Sequence, residues 1–176
     1  MNRIRSVVLM GVSGCGKSTL AKALAERLDW QFVEGDDCHP PGNIQKMSEG
    51  LPLTDEDRLP FLHNVAIAIQ RHEPGGVVAS CSALKRQYRD FIRSICRDTR
   101  FVLPVLPREA LVARLQARPG HFMPDSLIDS QLATLEMPAS ADDAIVVDGL
   151  LPLDVQLDRV IELLDPSARI ESAVSR

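Results

Sequence analysis

Residues 11–18, GVSGCGKS, constrain the fold of this chain more than any other stretch of its sequence. They match the pattern G-x-x-x-x-G-K-[ST], whose glycines let the backbone curl so that successive N–H groups face one phosphate. The apolar run Val7 to Met10 precedes this phosphate loop and is typical of a strand buried on both faces. Apolar residues at helical spacing follow it and predict a helix from about Ser18 to Leu28. Strand, loop and helix together predict a nucleoside triphosphate site.

Individual residues of the phosphate loop have predicted chemical roles. Lys17 is expected to reach the β- and γ-phosphates, and the Ser18 hydroxyl is expected to ligate Mg²⁺. The alternative, a glycine-rich turn that only caps a helix, is disfavoured because the motif is complete and stands in its expected context. The predicted nucleotide-binding residues in and beside the loop are Gly11, Val12, Ser13, Gly14, Cys15, Gly16, Lys17, Ser18 and Thr19.

Strands and helices alternate along the rest of the chain. Apolar runs predict further strands at 31–34, 77–80, 101–106 and 144–147. Helical spacing predicts helices at 83–97, 108–117, 127–135 and 153–164. Thr54 and Asp57 predict a capping box at the start of one more helix, and Pro104 predicts the end or the edge of its strand. The alternation predicts an α/β fold with a parallel sheet of about five strands, covered by helices on both faces.

The sequence lacks the two motifs that most often accompany a phosphate loop. The apolar strand 77–80 ends in Cys81 and Ser82 rather than in an aspartate that carries a metal, and no NKxD motif for guanine is present. The best candidate for an acid near the phosphates is Asp36, because the carboxyl ends of parallel strands line one crevice. Asp36 is expected to orient Mg²⁺ or to accept a proton from a substrate hydroxyl. A solvated turn at Asp36 and Asp37 is an equally weighted alternative.

Composition excludes several classes of protein. The 176 residues suit a single domain, and the net charge of −4 argues against broad electrostatic binding of nucleic acid. No apolar run approaches about 18 residues, so no membrane span is expected. The four cysteines show no metal-binding spacing and are typical of reduced thiols in a cytosolic protein. We therefore expect a cytoplasmic protein that binds neither nucleic acid nor a membrane.

Four segments together resemble the gluconokinases, small P-loop kinases related to shikimate kinase. They are GVSGCGKS, the acceptor segment GDDCHPPGNIQKMSEGLPLTDEDRLPFL at 35–62, CSALKRQYRDFIR at 81–93, and RPGHFM at 118–123 followed by SQLATLE at 130–136. The resemblance covers nearly all of residues 6–164 and implies a three-layer P-loop kinase fold with a mobile lid at about 117–130. It implies ATP-dependent phosphorylation of the 6-hydroxyl of D-gluconate and a homodimer. The polar tail 166–176 is expected to be disordered.

The resemblance also implies roles for residues outside the phosphate loop. Asp36 would face the attacking hydroxyl, and cations from the lid would neutralise the transferred phosphoryl group. The residues expected to hold gluconate, with Arg58 and Lys85 on its carboxylate, are Asp36, His39, Asn43, Lys46, Arg58, Ser82, Lys85 and His121. The residues expected to act in catalysis are Lys17, Asp36, Arg114 and Arg118, of which Arg114 and Arg118 are also expected to bind the nucleotide. Mg²⁺ is expected on Ser18 and Asp36.

Several of these candidate residues also have a simpler, non-catalytic interpretation. Arg114 with Arg118, and Arg89 with Arg93, are spaced i, i+4 and are also compatible with solvated basic helix faces, which is the favoured interpretation for Arg89 and Arg93. His39 and His121 are also compatible with surface loops. Alternative functions are phosphorylation of another small hydroxy acid such as shikimate, or a regulatory nucleotide-binding module.

The reactivity of the Cys15 thiol has two possible interpretations. It precedes a helix N-terminus and lies beside Lys17, and both features lower the pKa of a thiol. We expect alkylation or peroxide to inactivate the enzyme and MgATP to protect it. The alternative is a shielded thiol.

Overall fold

A computed structural model describes residues 4–117, 125–141 and 143–164. Its strands form one parallel sheet in the order β2-β3-β1-β4-β5. Their bounds are β1 Ser6–Leu9, β2 Gln31–Val33, β3 Val77–Ser80, β4 Thr99–Val105 and β5 Ile145–Asp148. The predicted α/β fold with five parallel strands is confirmed.

Helices cover both faces of this sheet. In the described ranges they are α1 Lys17–Leu28, α2 Pro41–Ser48, α3 Asp55–His72, α4 Arg86–Ile95, α5 Arg108–Gln116, α6 Asp125–Thr134 and α7 Leu153–Leu164, with a short 3₁₀ helix at Gly35–Cys38. The start of α4 differs from the predicted residue 83, because Ala83 has a positive φ of 38° and Lys85 is extended. Of the predicted lid, residues 118–124 lie outside the described ranges, and α6 begins at Asp125. The predicted tail 166–176 also lies outside them.

The core consists of two apolar layers separated by the sheet. Val8 of β1 and Met10 directly after it pack toward α3 and α4, whereas Val7 and Leu9 pack toward α1 and α7. All four side chains are fully buried, as expected for a central strand of a parallel sheet. The phosphate loop leaves the carboxyl end of this strand, so its position is fixed by both layers.

Pro104 lies near the end of β4, as its chemistry requires. β4 is an interior strand, between β1 and β5. β1 pairs with β4 only as far as Val102, while Pro104 itself pairs with Val147 of β5. The missing N–H of Pro104 therefore falls beyond the last residue of β4 that pairs with β1.

Arg89 lies in the core, so the prediction of a solvated basic face is wrong for this residue. Its side chain is 1% exposed, and Nε and Nη2 donate to the two carboxylate oxygens of Asp143 at 2.9 and 2.8 Å. Nη1 donates to the carbonyls of Ala83, Leu84 and Glu136. Arg93 is only partly buried and also contacts Asp143, at 3.4 Å. This ion pair joins α4 to the segment that leads into β5.

The capping box predicted at Thr54 is present and is extended by a lysine. The Thr54 N–H donates to Asp57 Oδ2 at 3.0 Å, and the Asp57 N–H donates to Thr54 Oγ1 at 3.3 Å. Lys46 Nζ lies 2.7 Å from Asp57 Oδ1. Hydrogen bonds from Lys46 and then from Thr54 lower the pKa of Asp57 to about 2. The carboxylate therefore joins α2 to the start of α3.

This low pKa predicts an acid-sensitive contribution to stability. A carboxyl group whose pKa is about 2 in the folded state, against about 3.9 when unfolded, stabilises the fold above pH 4 and loses that contribution as the pH falls through 2. We expect Asp57→Asn to lower the free energy of unfolding at pH 7 and to differ less from the parent protein as the pH approaches 2. Urea unfolding across pH 2–7 measures this difference. Glu56→Gln, at the neighbouring position of the same helical turn, is the control; equal unfolding of Asp57→Asn and the parent at pH 7 would contradict the prediction.

Candidate active site

The phosphate loop turns sharply between β1 and α1. Gly14 and Gly16 have φ values of +82° and +92°, which side chains other than glycine rarely adopt. A Cβ atom on Gly14 would come within 2.9 Å of the Leu115 side chain. Val12 and Cys15 pack into a third apolar cluster with Leu111 and Leu115 of α5 and Ile128 of α6. Packing of Val12 and Cys15 against α5 and α6 therefore holds the loop in place. Lys17 is the first residue of α1.

Glu34 occupies the place where an acid near the phosphates was expected. Its Oε1 accepts a hydrogen bond from the Ser18 hydroxyl at 3.2 Å and a second, short one from the Ser80 hydroxyl. Ser80 is buried in β3 and accepts a hydrogen bond from the Gly35 N–H at 3.1 Å. Ser80 thus fixes the carboxylate of Glu34 against the serine of the phosphate loop.

Gly35 makes this arrangement possible by its size. A Cβ atom on Gly35 would lie 1.9 Å from the carbonyl oxygen of Ser80. Any side chain would therefore push the end of β2 away from β3 and displace Glu34. Gly35 is required here because of close backbone approach.

Ser18 donates its side-chain hydrogen bond to Glu34, not to Asp36, and the expectation that Ser18 and Asp36 share a metal stays a prediction. The Asp36 side chain is exposed on the 3₁₀ helix, two positions after Glu34. Burial raises the pKa of the neighbouring Cys81 thiol to about 12, and among the smaller influences Lys17 lowers it and Asp36 raises it. The charges of Lys17 and Asp36 therefore both act at the carboxyl end of β3. Glu34 was not among the acids predicted from the sequence, although it ends the predicted strand 31–34 and the carboxyl ends of parallel strands line one crevice.

His39 and Asn43 of the acceptor segment are held in place by contacts with other residues of that segment. The His39 ring stacks on Phe61 with the ring centroids 3.8 Å apart. Burial lowers the pKa of His39, Asp36 raises it and Arg58 lowers it. The Asn43 amide nitrogen donates to the Asp57 carbonyl at 2.8 Å and lies 3.4 Å from His39 Nδ1. Asn43 is buried, so part of its hydrogen-bonding capacity serves the fold.

Two of the three cations predicted to bind gluconate, Lys46 and Lys85, already bind carboxylates of this chain. Lys85 Nζ lies 2.8 Å from Asp55, which also accepts from Tyr88 and lies 3.0 Å from Gln87 Nε2. Lys46 binds Asp57, as described above. The Arg58 guanidinium lies 5.9 Å from the centre of the Tyr88 ring.

Arg114 and Ser82 both border the phosphate loop. Arg114 Nη1 lies 3.5 Å from the Cys15 carbonyl, and Nη2 donates to the Gly149 carbonyl at 2.8 Å. The Ser82 carbonyl accepts from the Gly11 N–H at 3.1 Å. The candidates Arg118 and His121 lie outside the described residues.

Cys15 is buried, which favours the shielded-thiol alternative over a reactive thiol. Cys15 is 2% exposed. Its Sγ lies so close to the Gly11 backbone that a Cβ atom on Gly11 would be 2.9 Å from it. We expect iodoacetamide to label Cys15 in the native protein no faster than the protein unfolds. Peptide mass spectrometry at native and denaturing urea concentrations measures this rate. Rapid native labelling of Cys15 with protection by MgATP would contradict the prediction.

The oxygen ligands at the phosphate loop fit a small hard cation. No cluster of three or more His, Cys, Asp or Glu side chains suited to a metal occurs within residues 4–117, 125–141 and 143–164. Mg²⁺ needs no such cluster, because it binds proteins through one or two oxygen ligands and takes the rest from phosphates and water. The Ser18 hydroxyl and the Glu34 carboxylate provide two adjacent oxygens.

Membrane insertion has no support in the described helices. Within the described ranges, every helix is too short or too polar to span a bilayer.

Known proteins resemble this chain in both sequence and structure. The family model described as an AAA domain matches residues 7–138. A gluconokinase of Gluconobacter oxydans (strain 621H) is 49% identical over 160 residues, which cover 89% of each chain. The crystal structure of a gluconokinase from Sinorhizobium meliloti 1021 superposes with a TM-score of 0.86 at 42% identity and covers 100% of both chains.

A more distant likeness concerns the fold alone. Shikimate kinase from Aquifex aeolicus vf5 superposes with a TM-score of 0.59 at 20% identity and covers 93% of this chain and 98% of its own. The P-loop kinase fold implied by the sequence is therefore confirmed. By the identity and coverage of the closer relatives, this chain belongs to the gluconokinase family of P-loop kinases.

Proposed function

We propose that this enzyme transfers the γ-phosphoryl group of ATP to the 6-hydroxyl of D-gluconate and releases 6-phospho-D-gluconate and ADP. The observation that carries the proposal is the joint presence of a complete phosphate loop and a polar acceptor segment at one edge of the sheet, in a chain 49% identical to a gluconokinase over 89% of its length. Phosphorylation of shikimate is less favoured, because likeness to shikimate kinase is limited to the fold.

On the nucleotide side, the residues act mainly through charge and position. Lys17 would neutralise the β- and γ-phosphates, and Arg114 would add positive charge beside the same loop. The Ser18 hydroxyl and the Glu34 carboxylate would hold Mg²⁺, and Ser80 keeps Glu34 in place. When bound, Mg²⁺ supplies charge stabilisation for the transferred phosphoryl group.

On the acceptor side, the proposal assigns Asp36 to the attacking hydroxyl. An exposed carboxylate two residues after Glu34, which itself binds Ser18 of the phosphate loop, is suited to orient that hydroxyl or accept its proton. Arg58 is proposed to bind the gluconate carboxylate, with Lys85 joining it when its contact with Asp55 exchanges. His39, Lys46 and Ser82 are proposed to contact substrate hydroxyls, with Asn43 bracing His39. Arg118 and His121 remain proposed on the resemblance alone.

Assembly and location are proposed on the same family ground. We expect a homodimer in the cytoplasm, and light scattering of the purified protein measures the oligomeric state.

The proposal is tested by steady-state ADP release with MgATP and a panel of acceptors. The panel contains D-gluconate, shikimate, other aldonates and glucose, and Lys17→Ala is assayed alongside. We expect turnover with D-gluconate that Lys17→Ala abolishes. Turnover with shikimate alone would replace gluconate with the alternative acceptor. ATP binding without turnover of any acceptor would favour a regulatory nucleotide-binding module.

A further inference from the structure

The side chain of Gln131, on α6, binds the phosphate loop directly. Its Oε1 accepts the Ser13 backbone N–H at 2.7 Å, and its Nε2 donates to the Ser13 hydroxyl at 3.2 Å. A backbone N–H can only donate, so the orientation of the Gln131 amide is fixed by this pair of contacts. One side chain thus holds one residue of the loop at two points.

The helix that carries Gln131 is anchored at both its apolar face and its end. Ile128 packs beneath the loop with Val12 and Cys15. Just beyond the helix, the Glu136 carboxylate accepts the Arg86 N–H at 2.7 Å and the Glu136 N–H donates to the Leu84 carbonyl at 2.9 Å. Because α6 is fixed in this way, Gln131 is presented to Ser13 with little freedom left to lose on ATP binding.

The contact also decides which loop amides remain for a ligand. The Ser13 N–H is taken by Gln131, whereas a phosphate-binding loop works through the N–H groups that follow, up to the start of the helix. The Cys15 N–H donates to the Val12 carbonyl at 3.3 Å. We propose that Gln131 is a positioning residue for the nucleotide: it holds Ser13 so that the amides of Gly14, Gly16, Lys17 and Ser18 are preorganised around the phosphates. The proposal deepens the proposed function at its nucleotide site but does not depend on the identity of the acceptor.

The test is equilibrium binding of a non-hydrolysable ATP analogue with Mg²⁺, measured by calorimetry without any acceptor. We expect Gln131→Met, which keeps the length but removes both hydrogen bonds, to weaken binding about tenfold. Ser13→Ala removes only the hydroxyl contact and is expected to weaken binding by about threefold. Gln131→Glu keeps an acceptor for the N–H but adds negative charge beside the phosphates, so its loss is expected to be the largest of the three.

Thr134→Ala is the matched control, because it removes a hydrogen bond within the same helix, from Thr134 Oγ1 to the Ser130 carbonyl, without touching the loop. We expect Thr134→Ala to bind the analogue like the parent protein. A lower Tm of Gln131→Met with unchanged affinity of the folded protein would overturn the proposal in favour of a purely structural role. Unchanged affinity without any loss of Tm would overturn it as well. Failure of the proposed function would appear separately, as absent turnover of gluconate with analogue affinities that still follow this order.

Discussion

Replacing Arg89 with methionine is expected to lower the free energy of unfolding by about 3–5 kcal/mol. The substitution leaves the Asp143 carboxylate, 10% exposed, without its bidentate partner. It also removes the donor to three backbone carbonyls around the start of α4. Removing one partner of a buried pair costs this much because the remaining carboxylate stays in a medium that solvates it poorly, and Arg93 contacts it only at 3.4 Å. For a chain of this size the expected fall in Tm is about 6–20 °C.

Arg27→Met is the matched control for this experiment. Arg27 also pairs with an aspartate at 2.8 Å, but both side chains are more than half exposed. An exposed pair contributes about 0–1 kcal/mol, because water already solvates both charges. Urea unfolding of both variants measures the contrast, and equal midpoints for Arg89→Met and Arg27→Met would contradict it. The double variant Arg89→Met/Asp143→Asn is expected to regain part of the loss, since it also removes the buried carboxylate that Arg93 alone would contact, at 3.4 Å.

Local chemistry in the sequence predicts the frame of this molecule well. The phosphate loop, the strand before it and the capping box at Thr54 each follow from residues that are neighbours in the chain. The comparisons bear out the gluconokinase resemblance, which rests on polar residues at fixed spacing. Such features are readable because their geometry depends on few residues at short separation.

Pairings between distant residues account for what the sequence does not predict. The i, i+4 spacing of Arg89 and Arg93 fits a solvated face equally well, and only the fold brings Asp143 against them. The same holds for Lys85, whose partner Asp55 comes from another helix. Gln131 belongs to the segment SQLATLE at 130–136, which contributes to the gluconokinase resemblance. Its partner Ser13 lies far away in the sequence, in the phosphate loop. Burial and partnership at such positions are properties of the tertiary structure.

The choice between Glu34 and Asp36 as the acid near the phosphates also depends on a tertiary contact that the sequence does not predict. Both follow β2, and the strand-end argument covers both. What separates them is the Ser80 hydroxyl from β3, which turns Glu34 toward Ser18, while Asp36 stays exposed. At the end of β3, where the aspartate is absent, the structure places the carboxylate of Glu34, which follows β2 and accepts a hydrogen bond from Ser80 of β3.

Glu34→Gln is therefore expected to lower kcat by about 10²–10³-fold, the cost of removing one preorganised electrostatic contact to a transition state. The amide oxygen still accepts hydrogen bonds from Ser18 and Ser80, so the shape of the site is kept while the charge is lost. If Glu34 holds the metal, the loss must depend on the Mg²⁺ concentration. We expect Glu34→Gln to need more Mg²⁺ for half-maximal rate at fixed ATP.

Asp36→Asn separates the two acids in the same titration. A carboxylate that orients the attacking hydroxyl or accepts its proton contributes about 10²–10⁴-fold to the rate without acting through the metal. Asp36→Asn is expected to lower kcat with the Mg²⁺ dependence of the parent enzyme. Asp37→Asn, which removes the adjacent exposed carboxylate, is the control and is expected to retain most of the activity. A shifted Mg²⁺ requirement in Asp36→Asn with an unshifted one in Glu34→Gln would reverse the two assignments, because the metal would then bind Asp36.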